Sequence, residues 1–282
     1  VWRNTFSPGT SSQYPPGASW SSGAIFYNTR SGGQTGRRCF DAQTGALNWL
    51  TTTDTTNYFY TSSAAPAVDS LGVIFPSYAA ISSQNPITGA TQFTQPMTNL
   101  RGNAPVLWQG RLFALNGGIL VELDRSTGAV LWSISLTSTV NDVTALACDD
   151  GVLVASNAGT LTAVDAASQQ VLWQTQSVVS GIAPTIAHGA VFAFTTLPSS
   201  GAPLQMMDLR SGRVLRRFSS GAPNLPPIVT NDAVIMPTGS NVYGVSIYDL
   251  KSTALRQSLA TSGTPTSLAL AGRTLVIAAA GQ

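Results

Sequence analysis

A short motif that returns six times along the chain constrains the fold more than any other feature. It opens on Asp or Asn, continues through a small turn and ends in an apolar run, as in DRSTGAVLW from Asp124 to Trp132. Successive motifs start between 39 and 44 residues apart. A regular period of this length indicates that one structural unit is repeated along the chain. The six motifs begin at Asp41, Asn85, Asp124, Asp165, Asp208 and Asp249.

Each repeat contains four short apolar runs separated by turn residues. Within residues 103–136 the runs are APVLW, RLFALN, ILVELD and AVLWSISL, and we label such runs strands A to D. Gly, Asn and Asp between runs rich in Val, Leu and Ile are typical of β-hairpins. A four-stranded antiparallel unit repeated about every 40 residues predicts an all-β fold, the β-propeller. A β-solenoid is the alternative, but its repeats are usually shorter.

The motif also predicts the turn between strands C and D. The Asp124 carboxylate can accept backbone hydrogen bonds, Thr127 can do so more weakly, and Gly128 can adopt the positive φ that a tight hairpin needs. Trp132 follows on strand D, where its ring can pack against the neighbouring blade. In repeats without tryptophan this position is occupied by Phe93, Arg216 and Gln257.

The pattern D-x-x-[ST]-G-x-x-x-W resembles the repeat of pyrroloquinoline-quinone-type propellers. It is complete at Asp41–Trp49 and at Asp124–Trp132, and the resemblance extends over nearly the whole chain. That family includes the quinoprotein alcohol dehydrogenases and also non-catalytic members, such as the outer-membrane assembly lipoprotein of Gram-negative bacteria. The resemblance implies a propeller of this type, and a motif of fold does not by itself imply an activity.

We expect residues 1–282 to form a single propeller domain of seven blades, or of eight if the chain continues beyond Gln282. The closing blade is expected to combine residues 265–282 with residues 1–7, since VWRNTFS resembles a strand D. Because Val1 is not an initiator methionine, the sequence is expected to begin after processing or within a longer product. The other blades are predicted at about 14–53, 62–97, 103–137, 142–177, 182–219 and 225–260.

The composition argues against nucleic-acid binding and against a transmembrane segment. Only 9% of the residues are charged and the net charge is +2, so the chain lacks the basic field that attracts nucleic acid. The most apolar stretch, from Ser267, is interrupted by Gly272 and Arg273 and is too short for a transmembrane segment. So few charges indicate a surface that is either polar and uncharged or covered within an assembly. Polar uncharged surfaces suit proteins outside the cytoplasm, so we expect a secreted, cell-surface or envelope location.

The inventory of catalytic side chains is short. Of the twelve carboxylates, five belong to the repeated motif and four lie in or beside A-to-B hairpins, where Asp is expected for structural reasons. Glu122, the sole glutamate, is expected at an edge or facing outward, and His188, the sole histidine, in a hairpin turn. Cys39 and Cys148 are expected to be buried free thiols. We therefore predict no catalytic residue, no metal site and no cofactor.

The quinoprotein dehydrogenases supply the alternative. Members of that enzyme group resemble one another in having eight blades, a vicinal cysteine pair beside the quinone, and Glu, Asn and Asp groups that hold calcium. This chain has no adjacent cysteines and only one glutamate. We keep a quinone-dependent oxidoreductase, or a degenerate quinoprotein that binds a small molecule, as the alternative to a non-enzymatic scaffold.

The irregular B-to-C and D-to-A connectors are the predicted binding surface, because variable loops on a rigid scaffold often carry binding. The connector TTTDTTNYFYTSS holds three aromatic side chains, which are enriched at interfaces, although alternate ones could pack on the next strand A instead. Nearby arginines could act as polar anchors or as ordinary solubilising charges. We expect the partners to be other proteins or copies of this chain. The predicted interface comprises Tyr58, Phe59, Tyr60, Arg101, Arg30 and Arg37.

Overall fold

The computed structural model divides the chain into two compact units, Val1–Thr144 and Ala145–Gln282. Every regular element within the described residues is a β-strand, which confirms the all-β prediction. The described residues are 18–31, 34–53, 65–77, 80–97, 100, 103–136, 145–157, 159–176, 178–179, 182–196, 203–219, 225–237, 244–272 and 274–279.

The first unit contains three antiparallel sheets, each of four strands in sequential order. Sheet 1 consists of β1 (Ala18–Ser21), β2 (Ala24–Ser31), β3 (Gln34–Asp41) and β4 (Leu47–Thr53). Sheet 2 consists of β5 (Ala67–Val68), β6 (Val73–Pro76), β7 (Ala80–Gln84) and β8 (Thr91–Pro96). Sheet 3 consists of β9 (Val106–Trp108), β10 (Arg111–Asn116), β11 (Ile119–Leu123) and β12 (Val130–Ser135).

The second unit contains three more four-stranded sheets and one two-stranded sheet. Sheet 4 consists of β13 (Ala145–Asp149), β14 (Val152–Asn157), β15 (Thr160–Asp165) and β16 (Gln170–Gln176). Sheet 5 consists of β17 (Thr185–Ala187), β18 (Ala190–Phe194), β19 (Leu204–Asp208) and β20 (Val214–Phe218). Sheet 6 consists of β21 (Ile228–Val229), β22 (Ala233–Pro237), β23 (Gly244–Asp249) and β24 (Leu255–Ala260), and sheet 7 of β25 (Pro265–Ala271) and β26 (Thr274–Ala279).

The sequential antiparallel order within each sheet is the order predicted for strands A to D of a propeller blade. The two strands of sheet 7 correspond to strands A and B of a further blade. The expected contribution of residues 1–7 to that blade lies outside the described residues. The single-domain assignment and the blade limits stay predictions.

The C-to-D turns form as the motif predicts. In sheet 3 the Asp124 Oδ1 atom accepts hydrogen bonds from the backbone N–H groups of Ser126 and Thr127, at 3.0 and 2.7 Å. The N–H of Gly128, whose φ is +77°, donates to the Asp124 carbonyl at 2.8 Å. The Ser126 hydroxyl also donates to Oδ1, and this bond and those from the two N–H groups hold the pKa of Asp124 well below its ordinary value, with the hydroxyl the largest contributor. The turn is therefore set by contacts between near neighbours in sequence.

The aromatic residue on strand D packs against the C-to-D turn of the next sheet, as predicted, wherever a glycine leaves room for it. In the first unit the Trp49 ring lies against Gly89 and donates its indole N–H to the Pro86 carbonyl at 2.9 Å. In the second unit the Trp173 ring lies against Gly212. A Cβ atom on either glycine would lie 2.7 Å from a ring carbon, closer than carbon atoms can pack. The described contacts of Trp132 are instead made within its own sheet.

Each unit has its own hydrophobic core between sheets, built from strands B and C. In the first unit the core includes Ile74, Leu112 and Val121. In the second unit it includes Val154 and Val191. Strands B and C are almost fully buried, whereas strand D is largely exposed outside its ring position. The outermost strand of each sheet therefore supplies most of the side chains that a partner could reach.

Candidate protein-binding surface

Most of the predicted interface lies outside the described residues. This applies to Tyr58, Phe59, Tyr60 and Arg101, whereas the backbone of Arg30 lies in β2 and its side chain is outside the described part. The binding role of these residues stays a prediction.

Arg37 is the member of the predicted interface whose side chain the structure describes. It lies on β3 and only 6% of it is exposed. Its Nη2 atom donates to the Ser82 hydroxyl at 3.1 Å, and its guanidinium lies 5.6 Å from the centre of the Phe75 ring. Burial lowers the pKa of Arg37 to about 10. These contacts give Arg37 a part in joining sheets 1 and 2, and its binding role also stays a prediction.

Glu122 corrects an expectation: it is neither at an edge nor facing outward, but 6% exposed on β11. Its two carboxylate oxygens accept hydrogen bonds from Arg111, at 2.8 Å to Nε and 2.6 Å to Nη2. One of them also accepts the indole N–H of Trp132. The Arg111 hydrogen bonds, opposed in part by burial, lower the pKa of Glu122. A buried carboxylate persists when it is paired and hydrogen-bonded in this way, so Glu122 organises sheet 3.

A second buried ion pair joins sheets 2 and 3. Arg125 follows the motif aspartate of sheet 3, and its Nε and Nη2 atoms donate to the Asp69 carboxylate at 2.9 and 2.7 Å. Its Nη1 atom donates to the Ser83 hydroxyl at 3.1 Å. Burial alone raises the pKa of Asp69, but Arg125 and two backbone N–H groups outweigh it and leave the pKa lowered. This bidentate geometry fixes one blade-like sheet against the next.

The remaining candidates for chemistry occupy structural positions. His188 is an exposed turn residue with φ +54°, as predicted, and its Nε2 atom lies 2.9 Å from the Thr230 carbonyl. Cys39 is a buried free thiol, and burial raises its pKa. Cys148 also forms no disulfide but is only half-buried, which corrects the expectation that both thiols are buried. Within the described part of the chain, no three His, Cys, Asp or Glu side chains form a cluster that could hold a metal.

The second unit presents exposed aliphatic side chains on the outermost strands of its four-stranded sheets. Each lies at the start of strand D, directly after the C-to-D turn, and each is more than a third exposed. Aliphatic groups that recur on adjacent exposed strands are typical of a contact surface. We call this set the outer strip, and it comprises Val171, Leu172, Val214, Leu215 and Leu255.

Arginines accompany the outer strip on sheet 5. Arg213 and Arg217 are exposed and flank the aliphatic pair of β20. The nearby Asp208 uses its Oδ1 atom within its own turn, where it accepts from the N–H and hydroxyl of Ser211. Arg210 is already paired with Asp150, at 2.9 Å. Arg213 lies close enough to Asp208 to help lower the pKa of that carboxyl, whereas no carboxylate among the described residues forms an ion pair with Arg217. The surface of sheet 5 therefore combines apolar side chains with arginine, a composition common at interfaces.

Sequence reasoning missed this surface, although a signal for it was present. The motif carries an aliphatic pair immediately before the ring position, as in Val171–Leu172 and Val214–Leu215. A strand D at the edge of a sheet has no further strand to cover such a pair. The repetition of the pair in the motif was thus a sign of a recurring exposed strip.

Comparisons with known proteins agree with the propeller prediction. The model of the family described as outer membrane protein assembly factor BamB matches residues 77–282. No curated protein matches the sequence. In the described part of the chain there is no helix with the length and apolar character needed to cross a membrane.

Solved structures with the same fold have different functions. BamB from Moraxella catarrhalis superposes with a TM-score of 0.69 at 18% identity, over 91% of this chain and 78% of that chain. A chain of the mitotic checkpoint complex gives 0.70 at 12% identity, over 94% and 84%. A europium-containing methanol dehydrogenase gives 0.63 at 10% identity, over 89% and 69%. At such identities the likeness shows the β-propeller fold alone, which confirms the predicted fold class.

Proposed function

This chain belongs to the family described as outer membrane protein assembly factor BamB, and from that membership we propose that it is a non-enzymatic scaffold that binds other proteins. The observation that carries the proposal is the family match over residues 77–282, since the similar solved structures have the fold in common but not the activity. The family's description supports a place in the cell envelope, in the assembly of outer-membrane proteins.

The outer strip supports protein partners in particular. Val214 and Leu215 are each 37% exposed on an edge strand, and Val171 is 46% exposed on the corresponding strand of the preceding sheet. Leaving such side chains in water forgoes about 25 cal/mol of favourable free energy for each Å² of apolar surface. A protein partner that covered them would recover that free energy, whereas a small molecule would cover few of them.

A quinone-dependent oxidoreductase is the function from another class that shares this fold. The methanol dehydrogenase likeness supports it through the fold only, at 10% identity. The one glutamate, Glu122, is engaged by Arg111 and Trp132 inside sheet 3. The scaffold proposal is preferred because the family match is specific to an assembly factor.

Native mass spectrometry distinguishes the two functions. The chain carries an affinity tag, is expressed in its own host and is purified under conditions that retain subunits and small ligands. The scaffold proposal predicts a mass equal to this chain plus defined protein subunits. A monomer that carries a quinone-sized adduct and calcium would replace the proposal with the enzyme.

Matched variants connect that result to the outer strip. Leu215→Ser should weaken the complex because it removes an apolar contact from the strip. Ile87→Ser is the control, since Ile87 is 82% exposed in a turn of the other unit and lies outside the strip. Equal retention of partners by both variants would mean that the partners bind elsewhere on the chain.

A further inference from the structure

The outer edge of sheet 5 is a strand without a neighbour on one side. The order of that sheet is β17-β18-β19-β20, so β20, Val214–Phe218, pairs with β19 through one edge only. On such an edge strand, N–H and C=O groups point outward and can pair with an added strand. Proteins use this geometry to bind extended segments, in which backbone hydrogen bonds supply affinity and side chains supply specificity.

β20 differs from the other outer strands in its charge. β4, β8, β12 and β16 contain no charged residue, whereas β20 contains Arg216 and Arg217. β24 contains Arg256, which is paired with Asp232 and Asp249.

The arginines of β20 are not neutralised by the residues that the structure describes. Arg216 donates through Nε to the Lys251 carbonyl at 3.0 Å, a group without net charge. Arg217 lies opposite Gln205 in the strand register, and its side chain is exposed. Across the described ranges, no carboxylate lies within 4.0 Å of either guanidinium. The edge therefore presents positive charge next to the exposed Leu215.

These arginines disfavour a second copy of the chain as the occupant of this edge. If two β20 strands paired with each other, their arginines would lie close together across the ladder, and like charges opposite one another destabilise a strand pair. An acidic segment would instead place carboxylates beside the guanidiniums and could cover Val214 and Leu215 with aliphatic side chains.

Resting on the scaffold function above, we propose that the free edge of β20 binds an extended, acidic segment of a partner protein as a fifth strand of sheet 5. Carboxylates at alternate positions of the segment pair with Arg217 and Arg213. Aliphatic side chains between them pack on the outer strip. Recognition by charge and by strand pairing together selects an acidic β-segment over a neutral one.

A designed peptide tests this inference on the complete chain. The probe is a fluorescein-labelled heptapeptide that alternates Glu and Val, and its binding is followed by fluorescence anisotropy. Two control peptides replace every Glu with Lys, or the central Val with Pro, which cannot maintain a strand ladder. We expect the acidic probe to bind, each control to bind at least about tenfold more weakly, and the affinity to fall as salt is added.

Variants and hydrogen exchange identify the site. Arg217→Glu should lower the affinity for the acidic probe about tenfold or more, whereas Ile87→Glu, which adds a negative charge to an exposed turn of the other unit, should lower it less than about twofold. The backbone amides of Val214–Phe218 should become protected from exchange when the probe binds. Probe binding without that protection, or an unchanged affinity for Arg217→Glu, would overturn the inference.

The inference and the proposed function can fail separately. If native mass spectrometry shows a protein complex that Arg217→Glu leaves intact, the scaffold function stands and the edge of β20 is not its site. If the chain is a monomer that carries a quinone-sized adduct, the scaffold function itself fails.

Discussion

The two compact units build the same four-stranded sheet and place their charged side chains differently. In the first unit, Arg125 and Glu122 are each less than a tenth exposed, and both make bidentate ion pairs. Among the described residues of the second unit, the arginines that make ion pairs are Arg210 and Arg256, whose side chains are 56% and 40% exposed. The comparison shows that arginines within the same repeat can either be buried between sheets and join them or lie exposed on the surface.

Burial explains why those ion pairs differ in their contribution to the free energy of unfolding. Removing one partner of a buried pair leaves an uncompensated charge inside the protein and costs about 3–5 kcal/mol. Exposed pairs are screened by water and salt, and many contribute nothing measurable. The described ion pairs of the first unit therefore contribute to the stability of the fold, whereas the exposed pairs of Arg210 and Arg256 contribute little to it.

The units also differ in what strand D presents to the next turn. In the first unit, Trp49 and Phe93 pack on Gly89 and Gly128. In the second unit Trp173 packs on Gly212. In sheet 5, however, Arg216 takes the ring position, and the C-to-D turn of sheet 6 that it contacts has Thr253, with φ +60°, in place of glycine. Glycine is thus required where a ring covers the turn, and positive φ alone does not demand it.

The largest expected effect tests that requirement. Gly128→Ala would place a Cβ atom 2.8 Å from Cε2 of Phe93 and closer still to Cδ2. We expect this variant to lose about 3 kcal/mol in the free energy of unfolding, from overpacking together with the positive φ. Urea denaturation followed by tryptophan fluorescence measures the loss.

Gly110→Ala is the matched control for this variant. Gly110 has the same φ of +77°, but nothing lies within 4 Å of its added Cβ. We expect a loss of about 1 kcal/mol, from backbone strain alone. The pair Gly212 and Gly189 repeats the test in the second unit, with φ +69° and +68° and with a ring beside Gly212 only. Equal losses within each pair would show that the ring contact is unimportant.

The next largest effect separates buried from exposed ion pairs. Arg125→Met should destabilise the first unit by about 2–3 kcal/mol, because Asp69, whose side chain is 24% exposed, loses its cation. Arg210→Met in the second unit should leave the urea midpoint nearly unchanged, because its partner Asp150 is 73% exposed. Similar shifts for the two variants would contradict the distinction drawn between the units.

A smaller effect depends on pH and concerns the pair in sheet 3. The pKa of Glu122 is lowered in the folded protein from its ordinary 4.5, so the ionised carboxylate stabilises the fold above that pH. As the pH falls below the ordinary value, the unfolded state takes up the proton before the folded state does, and this favours unfolding. The stabilisation is fully lost once the pH has fallen through the folded pKa. Glu122→Gln should cost about 1–2 kcal/mol at neutral pH.

The difference between wild type and Glu122→Gln should shrink steadily below pH 4.5. Urea unfolding at several pH values from 7 downward measures it, with guanidinium avoided because it screens ion pairs. A difference that does not vary with pH would mean that the glutamate contributes through packing and not through its charge.

The smallest expected effect concerns the turn that lacks a ring. Thr253→Gly removes a β-branched side chain from a left-handed conformation and should stabilise the second unit by up to about 1 kcal/mol. Thr253→Ala is the control, since it keeps the strained φ, and should give less benefit. Destabilisation by Thr253→Gly would show that the threonine side chain packs favourably where the aromatic is missing.

Much of the fold could be predicted because its determinants are local. The Asp124 turn closes through hydrogen bonds to residues two and three positions away, and strand alternation and hairpin chemistry act over similar distances. The candidate surface was harder to predict. The aliphatic pairs of the outer strip are part of the sequence motif, but their exposure depends on strand D being the edge strand of each sheet.

The sequence by itself determined the repeat, the hairpin turns, the four-strand order and the propeller class, because these follow from turn chemistry and from hydrophobic period. Only the tertiary structure decided that Arg125 meets Asp69, 56 residues away, and that Glu122 is buried beside Arg111. It also decided that Gly128 lies beneath Phe93. The physical reason is that burial and ion pairing depend on which side chains approach after the sheets pack, and a motif repeated six times gives each arginine several possible partners.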